Sequence, residues 1–146
     1  MKVLFKRVDE NAKLPTRGSA QAIGYDVYAY IPNNGSVIVS AHGSEMISLG
    51  ISAVLPDGVG AFLMARSGLA CKHGIRPSNC VGLIDPDYRG EWKMSLRNDT
   101  DKDFTITHGD RIGQVVFKRA EFPEFSEVDE LPTSDRGEGG FGSTGK

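Results

Sequence analysis

The sequence predicts an all-β domain, a distorted jelly roll or barrel of short, mostly antiparallel strands. Three observations favour this fold class. Apolar residues almost nowhere recur at the spacing of an amphipathic helix. Turn signals such as residues 32–35, 56–58 and 108–110 recur about every eight to twelve residues. The segments between them are short and apolar or β-branched, which is typical of sandwiches, barrels and jelly rolls.

The predicted strands fill the segments between these turns. Residues 104–107 alternate between apolar and threonine side chains, and residues 112–117 form a nearly continuous apolar run. Residues 81–84 are apolar, residues 85–90 turn the chain and residues 92–96 return, which predicts a hairpin. In chain order, strands are expected at 37–39, 46–49, 59–64, 81–84, 92–96, 104–107 and 112–117.

The composition changes after Phe122, which predicts two parts. Residues 1–122 are long enough to bury a core, and we expect them to form the β domain. Residues 123–132 are acidic and poorly periodic, and residues 136–146 are rich in glycine. This composition predicts an extended C-terminal arm over residues 123–146 that ends in a flexible, glycine-rich lid.

The overall charge argues against several classes of protein. A formal net charge of −2 lacks the basic excess of a protein that binds nucleic acid or a membrane surface. The chain has no apolar run long enough to span a membrane and no signal-peptide core, so a cytoplasmic protein is expected. Cys71 and Cys80 are too few for a disulfide framework, and with His73 they lack the paired spacing of zinc ligands.

Two segments carry groups that suit phosphate oxygens. Arg66, Ser67 and Gly68 follow the predicted strand 59–64 and supply a guanidinium, a hydroxyl and room for close backbone approach. A plain turn is the competing interpretation of these three residues. Arg136 and the glycines and hydroxyls after it offer similar groups, although such tails are usually disordered ends.

A third segment, residues 79–91, combines more polar groups than a turn requires. Asp85 ends an apolar run, where a carboxylate is suited to act as general base on a water molecule. Tyr88 is able to lie flat against a sugar or base, and Asn79 adds an amide. An ordinary surface turn explains Asp87 well, but it explains the whole set poorly.

Three more polar residues lie at predicted strands. Asp26 interrupts the apolar segment 22–29 and, taken alone, is typical of an edge strand or a turn. Arg111 and Gln114 are three residues apart, so in an extended strand they are expected to point to opposite faces. Taken together, the polar segments suit a polyphosphate attached to a cyclic group, with a divalent ion on the phosphate oxygens.

Five segments, in this order, closely resemble the motifs of the trimeric dUTPases (deoxyuridine triphosphate nucleotidohydrolases). They are residues 24–26, 66–70, 82–90, 109–114 and 136–145. The resemblance implies a β-rich jelly roll assembled as a homotrimer, with active sites shared between subunits. It also implies Mg²⁺-dependent hydrolysis of dUTP to dUMP and pyrophosphate, which limits uracil incorporation into DNA and supplies dUMP for thymidylate synthesis.

The resemblance further implies a role for each site residue. Asp85 would hold the water that attacks the α-phosphorus, and Tyr88 would pack on the deoxyribose and leave no room for a 2′-hydroxyl. The uracil would be bound by the Asn79 amide, by the backbone of Leu83 and Ile84, and by the main chain of Lys93. The phosphates would be bound by Arg66, Ser67, Gly68 and Gln114, with Gln114 also able to contact the water.

The same resemblance implies a closing tail and a nucleotide-bound metal. The tail would cover the site, with Phe141 on the uracil ring and four residues on the γ-phosphate: Arg136, Gly142, Ser143 and Thr144. Mg²⁺ would be held mainly by the three phosphates, so no direct protein ligand is expected, and Asp26 is at most an indirect partner.

Three residues depart from the family pattern. Ala65 and Ile23 are expected to be neutral, whereas Trp92 affects either a trimer contact or the pocket wall.

The related dCTP deaminases place a glutamate where this chain has Ser95, and they lack the tail, which disfavours deamination. A module that only binds another protein is disfavoured because every expected catalytic residue is present.

Overall fold

The computed structural model describes residues 1–140 of the chain. These residues form an all-β architecture with one α-helix, α1 (Ser67–His73), so the predicted fold class is confirmed. No helix in this part of the chain is long and apolar enough to cross a membrane. The strands, in chain order, are β1 (Leu4–Arg7), β2 (Thr16–Arg17), β3 (Tyr25–Tyr28), β4 (Ser36–Val39), β5 (Ser44–Ser48), β6 (Ile51–Val54), β7 (Val59–Met64), β8 (Ile75–Pro77), β9 (Gly82–Ile84), β10 (Lys93–Asn98), β11 (Phe104–Thr107) and β12 (Arg111–Arg119).

The strands pair in four antiparallel sheets within the described residues. The largest sheet has the order β2-β3-β12-β7-β9, and the second has the order β5-β10-β8. Two small sheets, β1-β6 and β11-β4, complete the fold. Strands far apart in sequence are neighbours, as where β12 lies between β3 and β7, and this arrangement fits a jelly roll.

The seven predicted strands are all present, but the predicted hairpin is wrong. Strand β9 pairs with β7 in the largest sheet, whereas β10 pairs with β5 and β8 in the second sheet. The turn at residues 85–90 therefore carries the chain from one sheet to another. Apolar runs predict strands, but pairing partners are decided by contacts that are distant in sequence.

Helix α1, which was not predicted from the sequence, begins at the segment with Arg66, Ser67 and Gly68. It follows β7 and ends at Gly74, which adopts the left-handed conformation (φ 65°) and donates its N–H to Ala70 and Leu69. A Cβ added at Gly74 would lie 2.6 Å from Cγ2 of Thr100, so only glycine fits this helix end. With seven residues, α1 is too short for its periodicity to be detected in the sequence.

The core lies between the inner faces of the sheets, and Trp92 is its largest side chain. Trp92 is fully buried and packs edge-on against Phe5, with ring centroids 5.4 Å apart. The indole lies in the core, and the predicted influence of Trp92 on a trimer contact or on the pocket wall stays a prediction. Other fully buried side chains include Ile47, Leu49, Ile51, Leu63, Ile75, Leu96, Ile106 and Ile112.

Between residues 120 and 140 the described chain forms no helix or strand. Its apolar side chains are largely exposed, at 80% for Phe122, 92% for Phe125 and 84% for Leu131. This segment coincides with the start of the predicted arm. The division of the chain at residue 122, the arm and the trimer remain predictions.

Candidate active site

Asp26 organises two arginines at one edge of the candidate site. Its strand, β3, lies between β2 and β12, so Asp26 is not on a sheet edge. The carboxylate is mostly buried and accepts hydrogen bonds from Nε of Arg66 at 2.9 Å and from Nη1 of Arg111 at 3.2 Å. One carboxylate thus faces two guanidinium groups, which leaves one unit of positive charge in this cluster uncompensated.

Arg66, Ser67 and Gly68 lie at the junction between β7 and α1. Arg66 caps the helix, and the N–H groups of the first helical turn have no acceptor within the helix. A Cβ added at Gly68 would meet no atom of the described residues within 4 Å. Arg66, Gly68 and Arg111 line a cavity of about 380 Å³, whereas Ser67 does not line it.

Gln114 is placed beside the same junction, but not as the sequence suggested. The pairing of β12 with β3 shifts between Arg111 and Gly113, so that Arg111 lies opposite Tyr28 and Gln114 lies opposite Asp26. Because this bulge adds one residue, Arg111 and Gln114 share a face, and the prediction of opposite faces is wrong. Nε2 of Gln114 donates to the carbonyl of Ala65 at 2.9 Å, which ties β12 to the chain just before Arg66.

A second cavity gathers the residues expected at the nucleoside. It has a volume of about 360 Å³, and Asp85 and Tyr88 project into it from one turn, in which Tyr88 N–H donates to the Asp85 carbonyl at 3.2 Å. Leu83, Ile84 and Lys93 line the same cavity. Asn79 lies apart from it, in a small adjoining hollow that Lys93 also lines.

Two residues of this cavity were missed by the sequence reasoning. Met46 lies on β5 and Glu91 follows the turn, and both line the cavity with Asp85. In the sequence, Met46 looks like an ordinary strand residue and Glu91 like a solvated charge. No local signal distinguishes them, since only the packing of β5 beside the turn brings them to the site.

The two cavities lie far apart within one chain. Asp85 follows Ile84, which pairs with Ala61, so Asp85 lies level with Gly60 near the start of β7, whereas Arg66 lies beyond its end. From Gly60 to Met64 alone, the strand extends about 13 Å at ~3.3 Å per residue. No residue lines both cavities. We call these two cavities, with the predicted site residues at each, the two half-sites.

The tail contributes one described residue to the predicted set. Nε of Arg136 donates to the carbonyl of Gly139 at 2.7 Å, and Arg136 lines neither cavity. Phe141, Gly142, Ser143 and Thr144 lie outside the described residues, so their predicted roles stay predictions.

Side chains that could hold a metal ion do not cluster in residues 1–140. Each oxygen of Asp26 already accepts a hydrogen bond from an arginine, so this carboxylate is occupied in positioning cations. This donor set fits a metal that arrives with a polyphosphate better than one held in a protein cage.

Comparison with known proteins shows relatives in both sequence and fold. The dUTPase family model matches residues 10–145. A deoxyuridine 5'-triphosphate nucleotidohydrolase from Debaryomyces hansenii is 47% identical over 139 residues, which cover 94% of this chain and 83% of that protein. Among solved structures, the Staphylococcus bacteriophage 80alpha dUTPase with dUPNHPP has a TM-score of 0.88 at 25% identity, and the match covers 99% of each chain.

A further solved structure extends the likeness in fold. A mutant dUTPase from phage phi11 of S. aureus, which coordinates a structural Mg(II) ion, has a TM-score of 0.80 at 20% identity, covering 91% of this chain and 100% of that one. The family match spans nearly all of the sequence, and it contains both half-sites. The chain therefore belongs to the dUTPase family.

Proposed function

We propose that this protein hydrolyses dUTP to dUMP and pyrophosphate. The observation that carries the proposal is the pair of half-sites, one of which has a carboxylate and an aromatic ring in a cavity of nucleoside size. The other presents two arginines, held by one aspartate, beside open backbone N–H groups. The homologue from Debaryomyces hansenii is named for this activity, which supports the assignment.

The chemistry assigned to Asp85 is that of a general base. Its carboxylate accepts a proton from water as the water oxygen bonds to the α-phosphorus, and the bond from that phosphorus to the α,β-bridging oxygen breaks. Pyrophosphate leaves with the electron pair of that bond. Phosphoryl transfer depends on positioning and on neutralising charge, and Arg66, Ser67 and Gly68 supply donors for both, with Gln114 beside them.

Strand β9 supports the assignment of the uracil site. It is the last strand of its sheet, and neighbouring residues of an edge strand alternate, so one of Leu83 and Ile84 has both its N–H and its C=O facing away from β7. An edge of this kind reads the hydrogen-bonding pattern of a base through the main chain. The Asn79 amide and the main chain of Lys93 complete the proposed uracil pocket, and Tyr88 packs on the deoxyribose.

The separation of the half-sites supports a homotrimer. Asp85 lies near the start of β7, Arg66 lies beyond its end, and the two residues line separate cavities, which favours a site that combines residues of two chains. The exposed apolar side chains of residues 122–131 also favour burial against a neighbouring subunit. In the proposed assembly, the arm from residue 123 onwards extends to another subunit's site.

The proposed tail and metal complete the site. Arg136, with Phe141, Gly142, Ser143 and Thr144, closes over the bound nucleotide, with Phe141 on the uracil ring and the other residues on the γ-phosphate. Mg²⁺ enters as part of the substrate, bound by the three phosphates, and Asp26 affects it only through the arginines or an intervening water. We place the activity in the cytoplasm, where it limits uracil incorporation into DNA and supplies dUMP.

The test is pyrophosphate release from dUTP, dCTP, dTTP and UTP, each with Mg²⁺. We expect turnover of dUTP and little of the other three. Ammonia release from dCTP would instead identify a deaminase. If no nucleotide is turned over, the chain is a binding module and the proposal is wrong.

A further inference from the structure

We propose that Ser48, Glu91 and Trp92 form a positioning network that holds the ring of Tyr88 and so sets the preference for deoxyribose over ribose. The inference rests on the proposed function, in which Tyr88 packs on the sugar. It assigns a role to Glu91, which lines the nucleoside cavity without a task in the hydrolysis, and to Trp92, whose part in the site the sequence left open.

The Tyr88 ring lies against the backbone of Gly90. A Cβ added at Gly90 would sit 2.5 Å from Cζ and 2.9 Å from Cε2 of Tyr88, so the ring occupies the space that any other residue would fill. The Tyr88 hydroxyl donates to the carbonyl of Glu91 at 3.3 Å. At 3.3 Å this hydrogen bond is longer than usual for O–H···O, so the close packing against Gly90 holds the ring more than the hydrogen bond does.

The acceptor of that hydrogen bond belongs to a peptide group that cannot rotate freely. The same peptide, between Glu91 and Trp92, donates its N–H to the carbonyl of Ile51 at 2.7 Å. The next carbonyl, that of Trp92, accepts the N–H of Leu49 at 2.9 Å. Because the Trp92 side chain is fully buried against Phe5, the core fixes the plane on which Tyr88 rests.

The Glu91 side chain supplies the second anchor. Its carboxylate accepts a hydrogen bond from Oγ of Ser48, and the same Oγ accepts the N–H of Gly50 at 2.9 Å. Gly50 has a φ of 66°, and a Cβ added there would lie 2.7 Å from Cβ of Ala12, so only glycine fits this turn. Ser48 therefore connects this turn to the residue that holds Tyr88.

This arrangement also explains how a carboxylate is tolerated beside a triphosphate site. A free Glu91 side chain in the cavity would repel the phosphates, whereas the Ser48 hydroxyl holds its oxygen on β5. An aromatic ring excludes a 2′-hydroxyl only if it cannot turn aside. Without its anchors Tyr88 moves away from the sugar, and the site accepts ribose.

The test compares kcat/KM for dUTP and UTP in three variants. Glu91→Ala and Ser48→Ala remove the hydrogen bond between the two side chains, whereas Glu91→Gln keeps an oxygen acceptor for Ser48 and is the matched control. We expect both alanine variants to lower the dUTP:UTP ratio about tenfold, mainly by raising kcat/KM for UTP, which corresponds to ~1.4 kcal/mol. Glu91→Gln should stay close to the wild type.

Binding of dUMP and UMP, measured by calorimetry, separates sugar selection from chemistry. The alanine variants should bind UMP relatively better than the wild type does. Parallel losses for deoxyribose and ribose ligands would indicate general damage and overturn the network. An unchanged preference for deoxyribose over ribose in the alanine variants would also overturn the network. A wild-type protein that prefers dUMP but does not hydrolyse dUTP would refute the proposed function alone.

Discussion

At the scale of single residues, Asp26 shows how one side chain prepares a site without being a reactant. Its carboxylate receives Arg66 and Arg111 from two different elements and holds both guanidinium groups beside one cavity. Hydrogen bonds to charged groups are worth about 1.5–3 kcal/mol, so losing this acceptor frees both arginines to move.

Asp26→Ala is therefore expected to lower kcat/KM for dUTP by about ten- to a hundredfold, because the two arginines are no longer held in position to bind the phosphates. Asp99→Ala is the matched control, since Asp99 also binds two arginines, Arg76 and Arg97, but lines neither cavity. Steady-state kinetics on both variants give the comparison. Equal losses in the two would show that Asp26 acts only through general stability.

At the scale of elements, the site is formed where strands end. Helix α1 begins where β7 stops, and the turn with Asp85 begins where β9 stops. The end of β10 is secured separately by Asn98, which is fully buried. Its Nδ2 donates to the carbonyls of Val39 and Lys102, at 3.0 and 2.8 Å, and its Oδ1 accepts the N–H of Thr100 at 3.0 Å.

Asn98→Ala leaves two carbonyls and an N–H without these partners, so we expect the free energy of unfolding to fall by about 2 kcal/mol or more. Thr100→Ala, which removes only one hydroxyl from the same turn, should cost less. Urea unfolding followed by tryptophan fluorescence measures both, because Trp92 is in the core. A loss for Asn98→Ala no larger than that for Thr100→Ala would contradict this account.

At the scale of the whole molecule, the proposed function requires more than one chain for each active site. Asp85 lies near the start of β7 and Arg66 lies beyond its end, so the proposed site combines one half-site from each of two subunits. This arrangement makes activity depend on assembly, and the dependence can be measured with two inactive variants.

Asp85→Asn and Arg66→Ala should each abolish most of the activity alone. In an equal mixture that is unfolded and reassembled, three-quarters of trimers contain both chains, and each of these has one intact site of three. About a quarter of the wild-type activity is then expected to return. Mixing Asp85→Asn with the double variant Asp85→Asn, Arg66→Ala provides the control. No recovery in the first mixture would mean that the halves are not shared between chains.

The sequence alone determined the fold class, the positions of seven of the twelve strands and most of the residues placed in the two half-sites. Those properties are local, because strand period, turn chemistry and motif spacing are all written in contiguous residues. Asp85, Tyr88, Leu83, Ile84 and Lys93 were accordingly predicted together, and the structure places them around one cavity.

Only the tertiary structure decided how these pieces face one another. The bulge in β12 put Gln114 and Arg111 on one face, and long-range pairing sent β9 and β10 to different sheets. The burial of Trp92 and the bond between Ser48 and Glu91 likewise depend on strands that meet from distant parts of the chain. Register and packing arise from the whole set of contacts, so no single segment contains the information to predict them.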